Sequence, residues 1–166
     1  MAVQAILKFP NPGLRRRAAP VDLFDADLRQ LAEDLLDTMS AAQGIGITAP
    51  HIGILKRLTV IQLTAVDAVK YYVNPQILWA STEMHRHKEG SVSMQDVLEE
   101  IERPERIRFS YHDLAGTAHD EEADGLLATC LQHEIDQLDG IFWIDKLSRL
   151  RRDRVIKRYE KLQRVS

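Results

Sequence analysis

One stretch near the C-terminus limits the fold more than any other. From about Gly125 to Leu138 the apolar residues Leu126, Leu127, Cys130, Leu131 and Leu138 recur at helical spacing and cover a broad face. Asp139-Gly140 ends the run. His133 lies three residues beyond Cys130, beside that face, so it is expected to point inward rather than into bulk water. Within this helix, Gln132-His133-Glu134-Ile135-Asp136-Gln137-Leu138 almost spells H-E-x-x-H. In that pattern two histidines one turn apart share a metal ion. Here the second histidine position holds an amide, Gln137.

The rest of the chain must build layers around this helix. Pro10, Pro12, Gly13 and Pro20 mark an irregular start. From about Leu23 to Ala42, Leu28, Leu31, Leu35, Leu36 and Met39 form an apolar stripe at helical spacing. Gly44 to Gly53 reads as a glycine-rich loop. Leu58 to Leu63, Tyr71 to Leu78 and Ile107 to His112 read as strands, and Asp113 to Gly116 as a turn. A last helix begins near Ser148, a good N-cap, with Leu150, Ile156, Tyr159 and Leu162 as its inner face. Long helices mixed with short strands, without regular alternation, predict an α+β fold. The expected architecture is small antiparallel sheets around the central motif-bearing helix, with a long N-terminal helix and a C-terminal helix.

A length of 166 residues makes one domain over 1–166 the expectation. No run approaches the roughly 18 apolar residues of a membrane span. The N-terminus lacks an apolar stretch with a small-residue cleavage site, so no signal peptide is read and the expected location is cytoplasmic. The single cysteine, Cys130, excludes an internal disulfide and fits a reducing compartment. The net charge of −3 is unevenly spread. From Ser148 onward eight Lys or Arg face two Asp or Glu, so this tail carries +6 and the body −9. Such a tail is either a solvated helix face or a contact for an anionic partner such as nucleic acid.

Three segments stand out together: Gly44 to Gly53, Glu89-Gly90-Ser91-Val92-Ser93, and Gln132 to Leu138. In this order and at these separations they resemble the peptide deformylase family. That family reads G-x-G-[LIM]-A-A-x-Q, then E-G-C-[LI]-S, then Q-H-E-x-D-H-L. Pro10 to Val21, with Leu14-Arg15 inside it, and Glu122-Ala123-Asp124-Gly125-Leu126-Leu127-Ala128 are also similar to it, so the resemblance covers nearly the whole chain. It implies removal of the formyl group from the N-terminal methionine of nascent bacterial chains. A divalent iron or zinc, held by one cysteine and two histidines, activates water with a glutamate general base. A glutamine side chain and a backbone N–H hold the developing oxyanion.

Carried over residue by residue, the resemblance implies departures. Ser91 stands at the cysteine ligand, Gln137 at the second histidine, and His51 at the oxyanion glutamine. His133 matches the first histidine, Glu134 the general base, and Val92 supplies the adjacent backbone N–H. Gly46 and Gly90 are retained. Ile45, Gly46, Leu126 and Cys130 fit a pocket for an apolar methionine side chain, whereas His87 and Thr129 fall where the family usually has aliphatic residues. A thiolate is a charged, soft donor suited to zinc or ferrous iron; a serine hydroxyl is neutral and hard, and a carboxamide is a poor substitute for imidazole. Even an outer-shell loss costs about 10–100-fold in affinity. Losing two inner ligands removes many of the roughly 10–16 kcal/mol available to a structural zinc site. No cofactor is therefore expected with the family's ligand set.

The reading that follows is a deformylase-like protein without the metal-dependent activity, keeping a cleft for a peptide end or nascent chain. Its basic last helix is a possible ribosome contact, since deformylases can dock through a C-terminal helix; no membrane partner is expected. Two alternatives stand. One is a zinc or iron site rebuilt on His51 and His133, with Glu134 and Glu89 nearby. The other is metal-free catalysis with Ser91 as nucleophile, His133 or His51 as base and Glu134 as orienter. His85 and His87 read as an exposed strand or loop face, and His112 and His119 as surface residues. Trp79 and Trp143 read as core, Cys130 as a small buried apolar residue, and Arg15 to Arg17 as solvated.

Overall fold

A computed structural model describes residues 2–165. Its three helices fall where the apolar spacing predicts them. Helix α1 runs Ala26–Ala41, opened by the Asp25 carboxylate, which accepts from the Leu28 N–H. It buries Leu28, Leu31, Leu35 and Met39. Helix α2 spans Gly125–Leu138 and helix α3 Arg149–Val165, the latter capped by the Ser148 hydroxyl. No helix among the described residues is long and apolar enough to cross a membrane.

Five strands form one antiparallel sheet in the order β1–β2–β3–β6–β7. They are β1 Gly46–Thr48, β2 Leu58–Ile61, β3 Lys70–Ala80, β6 Arg106–His112 and β7 Ala118–Asp124. Strands β4 Met84–Ser91 and β5 Met94–Pro104 make a separate antiparallel hairpin. Helix α2 packs between the two sheets and touches strands of both. Leu131 and Ala128 on α2 enter a core with Phe109, Tyr72 and Ile61 of the large sheet. A second core joins α1 to β1, β2 and β3. A third joins the hairpin residues Met94, Val97 and Ile101 to Trp143, Val155 and Tyr159. The α+β architecture around a central motif-bearing helix is the one expected.

Several local expectations are corrected. The segment read as a glycine-rich loop contains strand β1 and a 3-10 turn over Ala49–Ile52. Strands β4, β5 and β7 escaped the sequence reading because MHRHKEGS and AHDEEAD are polar and lack β-branched runs. Trp79 is not core: it sits at the open end of β3 and is 52% exposed. Leu150 and Leu162 do not form the inner face of α3, being 62% and 39% exposed. Val155 and Tyr159 do, since the contact is with β5 and Trp143 rather than along the whole helix. His112 is half-buried with its ring against Phe24. His119 pairs with Asp113 at 2.8 Å and stacks on Tyr111.

Candidate active site

A cleft of about 600 Å³ opens between strand β1, the hairpin β4–β5 and helix α2. It is lined by Gly44, Ile45, Gly46 and His51 on one side, by Glu89 to Val92 from the hairpin, and by Leu126, Thr129, Cys130, His133 and Glu134 from α2. Two glycines set how closely these elements approach. A Cβ on Gly46 would lie 3.1 Å from Glu134 Oε2, so the bare backbone lets β1 pass against that carboxylate. A Cβ on Gly90 would meet Leu98 Cδ2 at 2.8 Å and the Val97 carbonyl at 3.0 Å, so a larger residue there would have to move the Leu98 side chain and press on the β5 backbone.

A buried ion network fixes His133. Arg103, on β5, donates through Nε and Nη2 to both oxygens of Glu89 at 2.6 and 2.9 Å, and through Nη1 to Asp136 at 2.8 Å. Glu89 in turn faces His133 Nδ1 at 2.9 Å. Burial alone would raise the Glu89 pKa, but the bonds from His133 and Arg103 overcome it and bring it down to about 2. Burial opposes a proton on His133, yet the Glu89 hydrogen bond and the Glu134 charge outweigh it and raise its pKa. Glu89 is thus the anchor of His133. Both its oxygens are engaged, so it is not free to join His51 and His133 around an ion in the way the rebuilt-site alternative asks.

Glu134 and His51 have the opposite character. Glu134 is 3% exposed, and its Oε2 is buried with no hydrogen-bond partner among the described residues. Burial pushes its pKa up to about 7. His51 is equally buried, and burial together with the His133 charge pulls its pKa down to about 3, so the ring is neutral at pH 7. The Thr48 backbone N–H donates to His51 Nδ1 at 2.9 Å, which leaves the ring proton on Nε2. That Nε2 also lacks a partner among the described residues. The cleft wall therefore carries one unfilled donor and one unfilled acceptor. The histidine keeps a donor where the resemblance places a glutamine donor.

The two altered ligand positions are absorbed into the scaffold. Gln137 is 1% exposed and does not line the cleft; its Nε2 donates to the Leu14 carbonyl at 2.6 Å, tying α2 to the N-terminal arm. The position expected to face a metal thus faces backbone instead. Ser91 does line the cleft, but its Oγ accepts from the Ser93 N–H at 3.0 Å. Neither His133 nor His51 makes a hydrogen bond to Ser91 among the described residues, so the serine triad is not assembled. No group of three or more His, Cys, Asp or Glu side chains among the described residues is arranged to hold a metal ion. The family's ligand positions thus present one imidazole, one hydroxyl and one averted carboxamide, in place of the two imidazoles and one thiolate that zinc or iron would take there.

His85 and His87 are not an exposed face. Both are half-buried on β4, with ring centroids 4.3 Å apart, and both reach the Thr129 hydroxyl, at 2.8 Å from His85 Nε2 and 3.0 Å from His87 Nδ1. Their i, i+2 spacing puts two imidazoles on one strand face, which was the available signal. Arg103 was missed altogether, because nothing in the local sequence distinguishes it from the exposed arginines around it. Ile45, Gly46, Leu126 and Cys130 all line the cleft as expected.

Known proteins give the same outline. The family model for polypeptide deformylase matches residues 3–153. A "peptide deformylase-like" protein of Brucella melitensis is 63% identical over 164 residues, covering 99% of this chain and all of the relative. A "peptide deformylase" of Phenylobacterium zucineum is 43% identical over 164 residues, covering 97% of each. The crystal structure of a peptide deformylase from Legionella pneumophila superposes with a TM-score of 0.93 at 35% identity, covering 99% of this chain and 97% of that one. The cleft, its glycines and its His133-Glu134 helix therefore sit in a chain that belongs to the peptide deformylase family.

Proposed function

We propose that this chain binds peptide amino termini in its cleft and lacks the family's metal-dependent removal of the formyl group. The observation that carries the reading is Gln137: the side chain at the second histidine position donates to the Leu14 carbonyl and does not enter the cleft. A neutral hydroxyl at Ser91 leaves His133 as the one remaining ligand of the family set. Without an ion to acidify it, water facing Glu134 stays close to its bulk pKa of about 15.7, and the family's hydrolytic route is severely slowed. Binding is a separate matter. The unfilled His51 Nε2–H suits a carbonyl oxygen, and Glu134 suits an N–H, which together describe an amide. A cytoplasmic location and contact with nascent chains go with this reading, and the +6 helix α3 is a fitting surface for ribosomal RNA.

Metal content and turnover test it on one preparation. Protein purified without added metal is assayed by plasma mass spectrometry, for hydrolysis of formyl-Met-Ala-Ser, and for binding of that peptide by calorimetry. Less than a tenth of an ion per chain, no turnover above buffer and saturable binding are expected. Stoichiometric iron or zinc with turnover overturns the proposal. It would favour a second reading, a site rebuilt on His51 and His133, whose one structural support is the unpartnered Nε2 of His51 beside the cleft.

A further inference from the structure

A second concavity shares no lining residue with the cleft. It is a groove of about 520 Å³ between the N-terminal arm and the turn after the 3-10 segment Ala49–Ile52. Leu7, Pro12 and Arg16 line it on one side, and Gly53 and Leu55 on the other. Leu7 lies against the bare backbone of Gly13, where a Cβ would meet its Cδ1 at 2.9 Å. Leu7 and Leu55 are only half-buried, and Ile54 beside them is 37% exposed. The floor is therefore apolar and within reach of a partner.

Charge is distributed around this groove in one sense only. The chain has 25 Asp and Glu, yet none falls in residues 2–20 or 49–63, the two segments that wall it. The same segments carry Lys8, Arg15, Arg16, Arg17, Lys56 and Arg57. Acids from elsewhere reach three of these: Asp145 pairs with Arg15, and Asp139 with Arg17 and Arg57. Lys8, Arg16 and Lys56 are exposed and make no ion pair among the described residues. An apolar floor between unpaired cations is matched by an apolar side chain flanked by carboxylates. A nucleic acid would match the cations alone, since no aromatic side chain lines the groove for a base to stack on. A single lipid headgroup would match one cation, whereas these stand on both walls.

We propose that this groove docks a short acidic segment of another protein, with an apolar side chain against Leu7 and Leu55 and flanking carboxylates on Arg16 and Lys56. The surface is independent of what the cleft holds.

Fluorescence anisotropy on the full chain tests this with a labelled acetyl-Glu-Leu-Asp-Glu-Leu-amide probe and its uncharged counterpart, acetyl-Gln-Leu-Asn-Gln-Leu-amide. The acidic probe is expected to bind saturably and about tenfold more tightly at low ionic strength, a ratio that shrinks as salt is added. Arg16→Glu and Lys56→Glu, both at exposed positions, should each weaken the acidic probe about fivefold and leave the uncharged probe unmoved. Leu55→Ser should weaken both probes. No saturable binding, equal affinity for the two probes, or an acidic-probe affinity unmoved by Arg16→Glu overturns the proposal. A concentration-dependent dimer in sedimentation that Arg16→Glu abolishes would give the groove to a second copy of this chain, and overturns it as well.

Discussion

Glu134 carries a stability penalty whose size follows from its surroundings. The carboxyl is buried, Oε2 has no hydrogen-bond partner among the described residues, and burial raises its pKa from 4.5 to about 7. At about 1.36 kcal/mol per unit, ionising it in the folded protein costs about 3 kcal/mol more than in the unfolded chain. The folded pKa is the higher one, so the native protein holds a proton that the unfolded chain has lost. Stability is therefore full below pH 4.5 and falls as pH rises toward 7. Glu134→Gln keeps the shape and removes the charge. The new amide still needs a partner, which returns about 1 kcal/mol of the gain. The variant should thus be about 2 kcal/mol more stable than wild type at pH 8, and no more stable at pH 5. Urea denaturation followed by circular dichroism at the two pH values reads both numbers. A variant no more stable at pH 8, or equally stabilised at both, refutes the assignment of Glu134 as an unrelieved buried acid.

Arg103→Met leaves Glu89 buried with one partner fewer, and should cost about 3–5 kcal/mol in the same assay; a loss under about 1 kcal/mol would show that the network is not what holds the hairpin to α2. Cys130, whose thiol burial pushes up to about 12, should resist iodoacetamide at pH 8 in the native protein and react in concentrated urea. Equal rates in the two states would place it outside the buried wall. Ser91→Cys with Gln137→His restores the family's ligand types and should raise bound zinc from trace to near one per chain. Trace zinc in the folded double variant would mean that the backbone, not the side chains, excludes the ion.

The helices were legible because their apolar residues repeat with a period that only one structure satisfies. Leu28, Leu31, Leu35 and Met39 all turned inward, and α2 ended at Leu138 as the Asp139-Gly140 pair foretold. The hairpin was not legible. Its register depends on pairing between segments such as Met84 and Pro104, and its residues are charged on the open face. The same limit hid the site's inner contacts. Glu89 and Arg103 are fourteen residues apart on the two strands of the hairpin, Gln137 and Leu14 one hundred and twenty-three, and these bonds exist only once the chain has folded back on itself. The motif positions themselves were readable one by one. What they do was not, because a glutamine facing a metal and a glutamine facing a carbonyl have the same letter.

The residues at the family's site positions are now of two kinds, and the difference between them favours retained binding. The altered positions have found work in the fold: Gln137 holds the N-terminal arm and Ser91 the hairpin turn. A site drifting without use would be expected to relieve its remaining strain in the same way. Glu134 Oε2 has not been given a partner among the described residues, although an amide there is worth about 2 kcal/mol at pH 8 by the reasoning above, and His51 Nε2, on the same cleft lining, also has nothing to donate to among them. Stability given up at a pocket is a common companion of function. An amide-bearing ligand supplies both missing partners at once, so occupancy should add to the melting temperature in proportion to the logarithm of ligand concentration. That gain should shrink in Glu134→Gln combined with His51→Leu, where the histidine donor is gone and a neutral amide stands in place of the buried acid.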